Sequence, residues 1–414
     1  MDILIVGGGV AGFTAAAACR NAWPDRAVTL IDAENEVGYY RTLLPQFMVG
    51  TLPETKLFFP PGDPDPLFTV RTGVRVKSLD RAGQLLQLAT GESLGYDRLI
   101  LAHGGEAYLP GILAGPPARG IFPVRDLTTA RAAKAWLVDH RKVIVFGGSL
   151  VAVKTAVHLR QAGFEVSLVV RRGHILLRAL SSESAALVED HLRRQGVRIV
   201  VNAPLEDIRI TQGTIAAIKA GGEWVEGNSL IVAAGVVPDT AFVEGTGLLT
   251  DGQLVVSEAM QTSDRRVFAA GDVAAIGERR LSPNTWPQAV SQARTAAANL
   301  YRTAPIPLRD PAGINAMELD GLAMVILGPP VAGAETISFG NAAAGIRREL
   351  FLRGGKPVGG ALIGDISAAG TLHALLSSGR TMTAAELRLL AARSRTVIPF
   401  PERAGRRTAY ILKG

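Results

Sequence analysis

The chain has 414 residues, enough for two or three domains, and its 48% hydrophobic and 20% charged content belongs to a folded globular protein rather than a disordered one. Lysine and arginine total 44 against 37 acids; the formal charge of +7 is mostly dispersed, so it favours acidic partners only modestly. The single cysteine, Cys19, excludes a disulfide framework, a redox-active cysteine pair, a four-cysteine iron–sulfur cluster and a structural zinc site.

Residues 3–6 (Ile-Leu-Ile-Val) form an apolar strand that follows Met1 directly, leaving no room for a cleavable signal. No uninterrupted apolar run reaches the ~18 residues a membrane span needs. A soluble cytoplasmic protein is expected. After the first strand come Gly7-Gly8-Gly9-Val10-Ala11-Gly12, an alanine-rich helix to about Ala22, and a second strand over residues 28–31 closed by Asp32. This is a βαβ unit in which the acid stands 20 positions after Gly12. Gly7 permits the tight turn, Gly9 lets backbone approach a pyrophosphate, and Gly12 lets helix and strand pack closely. Asp32 is placed to accept hydrogen bonds from a ribose 2′-hydroxyl. Strand, turn, helix and acid together point to a dinucleotide.

Short strands and turns follow over residues 74–88, and residues 96–102 return a buried strand to the first domain. A second βαβ unit starts with residues 143–146, passes Gly147-Gly148-Ser149, runs a helix to about Gly163 and continues as a strand over 166–170. Two such starts imply two nucleotide sites. Strand patterns over 199–218 and 229–234 belong to the second unit, and Pro305, Pro307 and Pro311 mark a linker. Beyond it, alternation at 348–352 and 358–363 predicts antiparallel strands, followed by helices near 369–378 and 384–392.

Residues 262–273, ending Ala270-Gly271-Asp272-Val273, resemble the second FAD signature of the flavoprotein reductases with two dinucleotide-binding domains. Leu101-Ala102-His103-Gly104 resembles their Ala-Thr-Gly crossover, with His103 in place of threonine. Gly38-Tyr39-Tyr40-Arg41-Thr42-Leu43-Leu44-Pro45 and Thr285-Trp286-Pro287-Gln288-Ala289 narrow the likeness to NADH:rubredoxin reductases, the flavin part of NADH nitrite reductases, and ferredoxin reductases of oxygenase systems. The resemblance implies an α/β fold: two Rossmann-like, glutathione-reductase-like domains and a C-terminal α+β domain. The FAD domain would take residues 1–110 and 237–305, the NAD(P) domain 111–236, and the C-terminal domain with its basic tail 306–414. It also implies FAD held by Gly7, Gly9, Gly12, Asp32, Arg41, Val76, Gly104, Gly271 and Asp272, with Trp286 near the flavin edge. The disulfide-reducing branch carries a cysteine pair after the position of Asp32. None stands here, so electrons leave from the flavin itself.

The second motif departs from the family pattern. Ser149 replaces a glycine, Ala152 another, and Lys154 the family's glutamate. Where an NAD site wants an acid, Arg171 and Arg172 stand, suited by charge and forked geometry to a ribose 2′-phosphate. With Gly147 and Gly148 they predict NADP(H) over NAD(H). Ser149 argues the other way, because its Cβ would crowd the pyrophosphate, leaving a vestigial site as the alternative. Ferredoxin reductases pair a lysine with that glutamate beside flavin N5; here Gln46 and Lys154 occupy the two positions. Lys154 either places a cation at N5 or points to solvent. His103 reads as a structural imidazole or a proton shuttle.

No histidine cluster for a metal, no nucleophilic triad and no aromatic–basic interleaving for nucleic acid is present. The tail from Arg393 is basic, fit to steer a small acidic iron–sulfur protein, to touch a membrane weakly, or to do nothing. The expected activity is FAD-dependent NAD(P)H oxidoreduction with a ferredoxin- or rubredoxin-type acceptor. Two alternatives stay open: a flavin-bearing relay subunit of a larger iron–sulfur complex, and a quinone- or oxygen-reducing flavoenzyme. Oligomeric state is not legible.

Overall fold

The computed structural model describes residues 2–59, 68–113, 115, 118–277, 285–309, 314–383 and 386. Pro311, the helix expected near 384–392 (apart from Glu386) and the basic tail lie outside the described residues.

Asp2–Val6, Ala27–Ile31, Thr69–Arg71, Arg98–Leu101 and Val267–Ala269 are short apolar strands, and they assemble into one parallel sheet. Its order is Val267–Ala269, Arg98–Leu101, Asp2–Val6, Ala27–Ile31, Thr69–Arg71. Ile3, Ile5, Leu30, Leu99 and Ile100 are completely buried, as strands covered on both faces require. Helix Val10–Ala22 lies against this sheet and against helix Trp286–Asn299. Ala11, Ala15 and Ala16 of the first helix meet Ala289, Ala293, Ala296 and Ala297 of the second within one core, so small side chains set a close approach. Trp23 closes the contact by donating its indole N–H to the Ala297 carbonyl at 2.8 Å.

Cys19 is buried in that seam, and desolvation pushes its thiol up to about 12. The neutral thiol is therefore the form the fold accommodates, and its contribution to stability is lost as pH rises from the ordinary 9.0 towards that value. Iodoacetamide at mildly alkaline pH should leave the native chain unmodified and label one site after denaturation; fast labelling of the folded protein would contradict the burial.

The chain leaves the first sheet after Arg98–Leu101, crosses Gly105–Ala107, and builds a second parallel sheet. Its order is Arg198–Val200, Glu165–Val169, Lys142–Phe146, Ser229–Val232, Ile121–Pro123. The return strand Val236–Pro238 pairs antiparallel with Gly105–Ala107, so the connection between the sheets is a two-stranded ribbon. In both sheets the first βαβ strand sits where the strand order reverses, which puts the crevice at its carboxyl end.

A third, antiparallel sheet has the order Asn315–Leu319, Leu322–Ile326, Lys356–Ile363, Ile346–Arg353, Glu335–Asn341, with helix Ala369–Ser378 packed on it. Buried Glu349 fastens it to the second sheet's side, accepting from Ser181 N–H (3.1 Å), Ser181 Oγ (2.6 Å) and Ser184 Oγ (2.7 Å). Among the described residues, no helix is long and apolar enough to cross a membrane.

Candidate functional site: two dinucleotide turns

The first crevice is built from the Gly7–Gly12 turn. Gly7 adopts φ +107°, in the region that favours glycine, and an added Cβ would lie 2.4 Å from the Ala102 carbonyl oxygen. At Gly12 a Cβ would lie 1.7 Å from the Gly7 carbonyl oxygen, so helix Val10–Ala22 sits as close to the strand as backbone allows. Gly9 differs. Its nearest neighbour would be the Arg41 guanidinium at 3.9 Å, so the missing side chain leaves open space over the turn. Gly9 is also the helix N-cap and makes no side-chain cap, which leaves first-turn N–H groups directed into that space.

Asp32 closes the next strand and accepts from the N–H groups of Gly8 and Glu34, the latter at 2.6 Å. Val76 lies on strand Val76–Asp80, half-buried, two residues beyond Val74, whose N–H donates to the Asp32 carbonyl at 2.8 Å. Arg41 is held from several sides. It pairs with Glu34, donates to the Arg125 carbonyl at 2.8 Å, and stacks over Tyr39 with its carbon 4.9 Å from the ring centre. Burial pushes the Tyr39 phenol up, keeping it a neutral donor to Glu34 at 2.6 Å.

Arg125 completes the cradle. Its guanidinium donates to the Gly105 carbonyl at 2.9 Å and pairs with Asp272 at 3.0 Å, and a Cβ on Gly104 would meet it at 3.0 Å. Gly271 abuts Ala11 on the first helix and donates its N–H to Gln292 at 2.7 Å. The structure thus gathers Gly7, Gly9, Gly12, Asp32, Arg41, Gly104, Gly271 and Asp272 around one turn, with Val76 beside Asp32. Sequence reasoning missed Arg125 and Glu34, and met Tyr39 only as part of the Gly38–Pro45 motif. The one local signal was the capping pattern at Asp126, which accepts from Thr129 N–H at 2.7 Å and fixes Arg125 two residues ahead of helix Leu127–Trp136.

His103 hydrogen-bonds through Nε2 to the Asp239 carbonyl (2.7 Å) and lies 4.7 Å from the Phe242 ring centre. Burial holds its pKa below the ordinary value, and Nδ1 is buried without a partner. It is a neutral clasp on the inter-sheet ribbon, which favours the structural reading over a proton shuttle. Trp286 stacks on Tyr40 at 5.0 Å and meets Phe59 edge-on at 5.4 Å.

The second turn repeats the first with one change. Gly147 has φ +146° and lies against the Ala233 carbonyl, and Gly148 lies against Val170. Ser149 is the N-cap of helix Leu150–Gln161, accepting from Ala152 N–H at 3.3 Å and donating to the Ala233 carbonyl at 3.1 Å. One donor that a pyrophosphate would use is therefore satisfied internally. Arg171 and Arg172 are exposed just beyond strand Glu165–Val169, and neither guanidinium has a partner among the described residues. Lys154, one turn into the helix, is half-buried and likewise without a described partner; desolvation lowers its pKa. Lys154 and Trp286 belong to neither glycine turn. Among the described residues, no group of three or more histidine, cysteine, aspartate or glutamate side chains could hold a metal ion.

The family model for pyridine nucleotide-disulphide oxidoreductases matches residues 1–293. The chain belongs to that family. Pyridine nucleotide-disulphide oxidoreductases use FAD with NAD(P)H, and the Gly9 space, the uncapped helix and the Arg125–Asp272 pair fit the first of these groups. The disulfide chemistry in the family's name has no counterpart here, since the only cysteine is buried in the first helix. The biphenyl dioxygenase system ferredoxin–NAD(+) reductase component of Paraburkholderia xenovorans (strain LB400) is 31% identical over 317 residues, spanning 74% of this chain and 76% of the relative. The rubredoxin–NAD(+) reductase of Pseudomonas putida is 26% identical over 336 residues, 78% of this chain and 86% of the relative. In the solved covalent putidaredoxin reductase–putidaredoxin complex, a chain aligns with a TM-score of 0.88 at 22% identity, covering 95% of this chain and 96% of that one. The last likeness shows the fold: two dinucleotide-binding domains and a C-terminal domain.

Proposed function

We propose that the protein is an NADPH-preferring reductase of a small acidic iron–sulfur protein of ferredoxin or rubredoxin type. The observation that carries this reading is the open, uncapped cradle at Gly9 in a chain with no second cysteine to take electrons onward. FAD held there would supply hydride acceptance from a nicotinamide and release of electrons one at a time, which one-electron centres require. The protein's part is binding and alignment. Gly9 and the first-turn N–H groups take the pyrophosphate, Asp32 and Val76 the adenosine end, and Asp272, oriented by Arg125, the ribityl chain. Arg171 and Arg172 take a ribose 2′-phosphate at the second turn. Lys154 contributes a partnerless cation beside the reacting edge, and Trp286 with Tyr40 an aromatic wall. The work is placed in the cytoplasm, where reduced nicotinamide is supplied.

A second reading, the flavin-bearing relay subunit, is favoured by Ser149 capping its own helix. Anaerobic mixing separates the two. NADPH should reduce the bound flavin much faster than NADH, and the reduced protein should then pass electrons to a ferredoxin or rubredoxin. Failure of both nucleotides would favour the relay; transfer to quinone but to neither iron–sulfur protein would end the acceptor assignment.

A further inference from the structure

At the opposite edge of the first sheet from the glycine turn lies a cavity of about 370 Å³, lined by Arg98, Arg265, Arg266 and Arg302 together with Gln261 and Tyr301. Arg98 begins its strand, Arg266 immediately precedes Val267–Ala269, and Tyr301 and Arg302 follow helix Trp286–Asn299. Among the described residues no carboxylate lines the cavity. Of the two nearest in sequence, Asp97 pairs with Arg26 at 3.5 Å; Asp264 pairs with Arg81 at 3.0 Å, accepts the Arg266 backbone N–H at 2.9 Å and lies within reach of the Arg266 charge.

The four guanidinium groups are only partly satisfied. Arg98 donates to the carbonyls of Leu300 (2.5 Å) and Asp97 (2.9 Å), and Arg302 to that of Ala298 (3.1 Å). The guanidinium groups of Arg265 and Arg266 make no hydrogen bond or close ion pair among the described residues, although the Arg266 charge acts on Asp264. The Tyr301 hydroxyl is buried and also without one. Like charges gathered in one recess repel, and while Arg98 and Arg302 tie backbone carbonyls, the guanidinium groups of Arg265 and Arg266 make no such hydrogen bond. A bound anion removes that repulsion, and forked guanidinium donors match phosphate oxygens.

We infer that this cavity binds a small phosphate-bearing anion at a site separate from both dinucleotide turns. The phosphate is the recognised group. Arg98 and Arg26 stack on the Tyr301 ring at 4.4 and 4.9 Å from its centre, so the ring is not free to hold a nucleobase. The site also has a route to the cofactor cradle. The strand from Arg98 leads to Gly104, the strand after Arg266 leads to Asp272, and the helix that Tyr301 follows begins at Trp286. An anion that fixes the first ends of both strands and the last end of the helix braces the domain carrying the cradle.

The test is calorimetric titration of the FAD-loaded full chain with sodium pyrophosphate at constant ionic strength, with chloride as control. One saturable site is expected, with its Kd raised at least tenfold in an Arg265→Gln/Arg266→Gln variant and unchanged in Arg171→Gln/Arg172→Gln. Arg302→Gln serves should the first pair fail to fold, and a rise in Tm with pyrophosphate should accompany binding only where Arg265 and Arg266 are intact. An adventitious ion only, seen as equal weak binding by every variant, would overturn the inference. So would loss of binding on changing Arg171 and Arg172 instead. A nucleoside diphosphate binding more than tenfold tighter than pyrophosphate would overturn the claim that phosphate alone is recognised.

Discussion

Gly9→Ala and Gly12→Ala, three residues apart in one turn, are expected to fail in opposite ways. The Gly9 variant should fold with an unchanged Tm yet purify with little FAD. Its Cβ meets nothing closer than Arg41 at 3.9 Å, and the residue already has an ordinary extended backbone, so the protein itself has no reason to object. The new methyl fills the space a pyrophosphate needs above the uncapped helix. Gly12→Ala should be damaged before any cofactor is considered. A Cβ 1.7 Å from the Gly7 carbonyl oxygen forces helix Val10–Ala22 off the sheet and away from its alanine seam with Trp286–Asn299. Overpacking of this kind costs ~3 kcal/mol, which for a domain of this size lowers Tm by about 6–12 °C. Flavin absorbance against protein, with a melting curve of the apo form, separates the two effects. Full FAD content in the Gly9 variant would remove the pyrophosphate from this turn.

Both glycine turns were legible because each is a local pattern: strand, turn and helix are contiguous, and a Gly7 or Gly12 that must lack a side chain announces itself. Asp32 was legible by spacing. The antiparallel strands of the third sheet followed from alternation. Arg125 was not legible, because its role exists only where Gly104–Gly105, Asp272 and Arg41 converge from three distant stretches of chain. The Tyr40–Trp286 stack is of the same kind. The arginine cavity shows the limit most clearly. Arg98, Arg265, Arg266 and Arg302 look like four unrelated surface charges until a parallel sheet lines up the starts of its strands and a helix returns its end to the same edge. Ser149 was legible as an anomaly but not in its consequence. A serine at that position could crowd a ligand or cap a helix, and only the hydrogen bonds to Ala152 and Ala233 show that it caps.

The sharpest test of nucleotide choice is the double substitution Arg171→Gln/Arg172→Gln. Both side chains are exposed and without described partners, so the fold should be indifferent and Tm unchanged. A 2′-phosphate held by two guanidinium groups draws on charge-assisted hydrogen bonds of ~1.5–3 kcal/mol each. Losing them should slow flavin reduction at low NADPH concentration about 100-fold, equivalent to roughly 2.7 kcal/mol, while NADH changes by less than about threefold. The loss should appear as a raised apparent Kd with little change in the limiting rate, because the 2′-phosphate is remote from the transferred hydride and binds equally well before and during transfer. Added salt should weaken NADPH binding to the unmodified protein and have much less effect on the variant, since exposed charges are screened. A parallel fall for both nucleotides would mean that the two arginines hold the adenosine end without reading its phosphate. No change for either would mean that the exposed pair faces solvent and that Ser149, by occupying the Ala152 N–H, has left the second turn a scaffold.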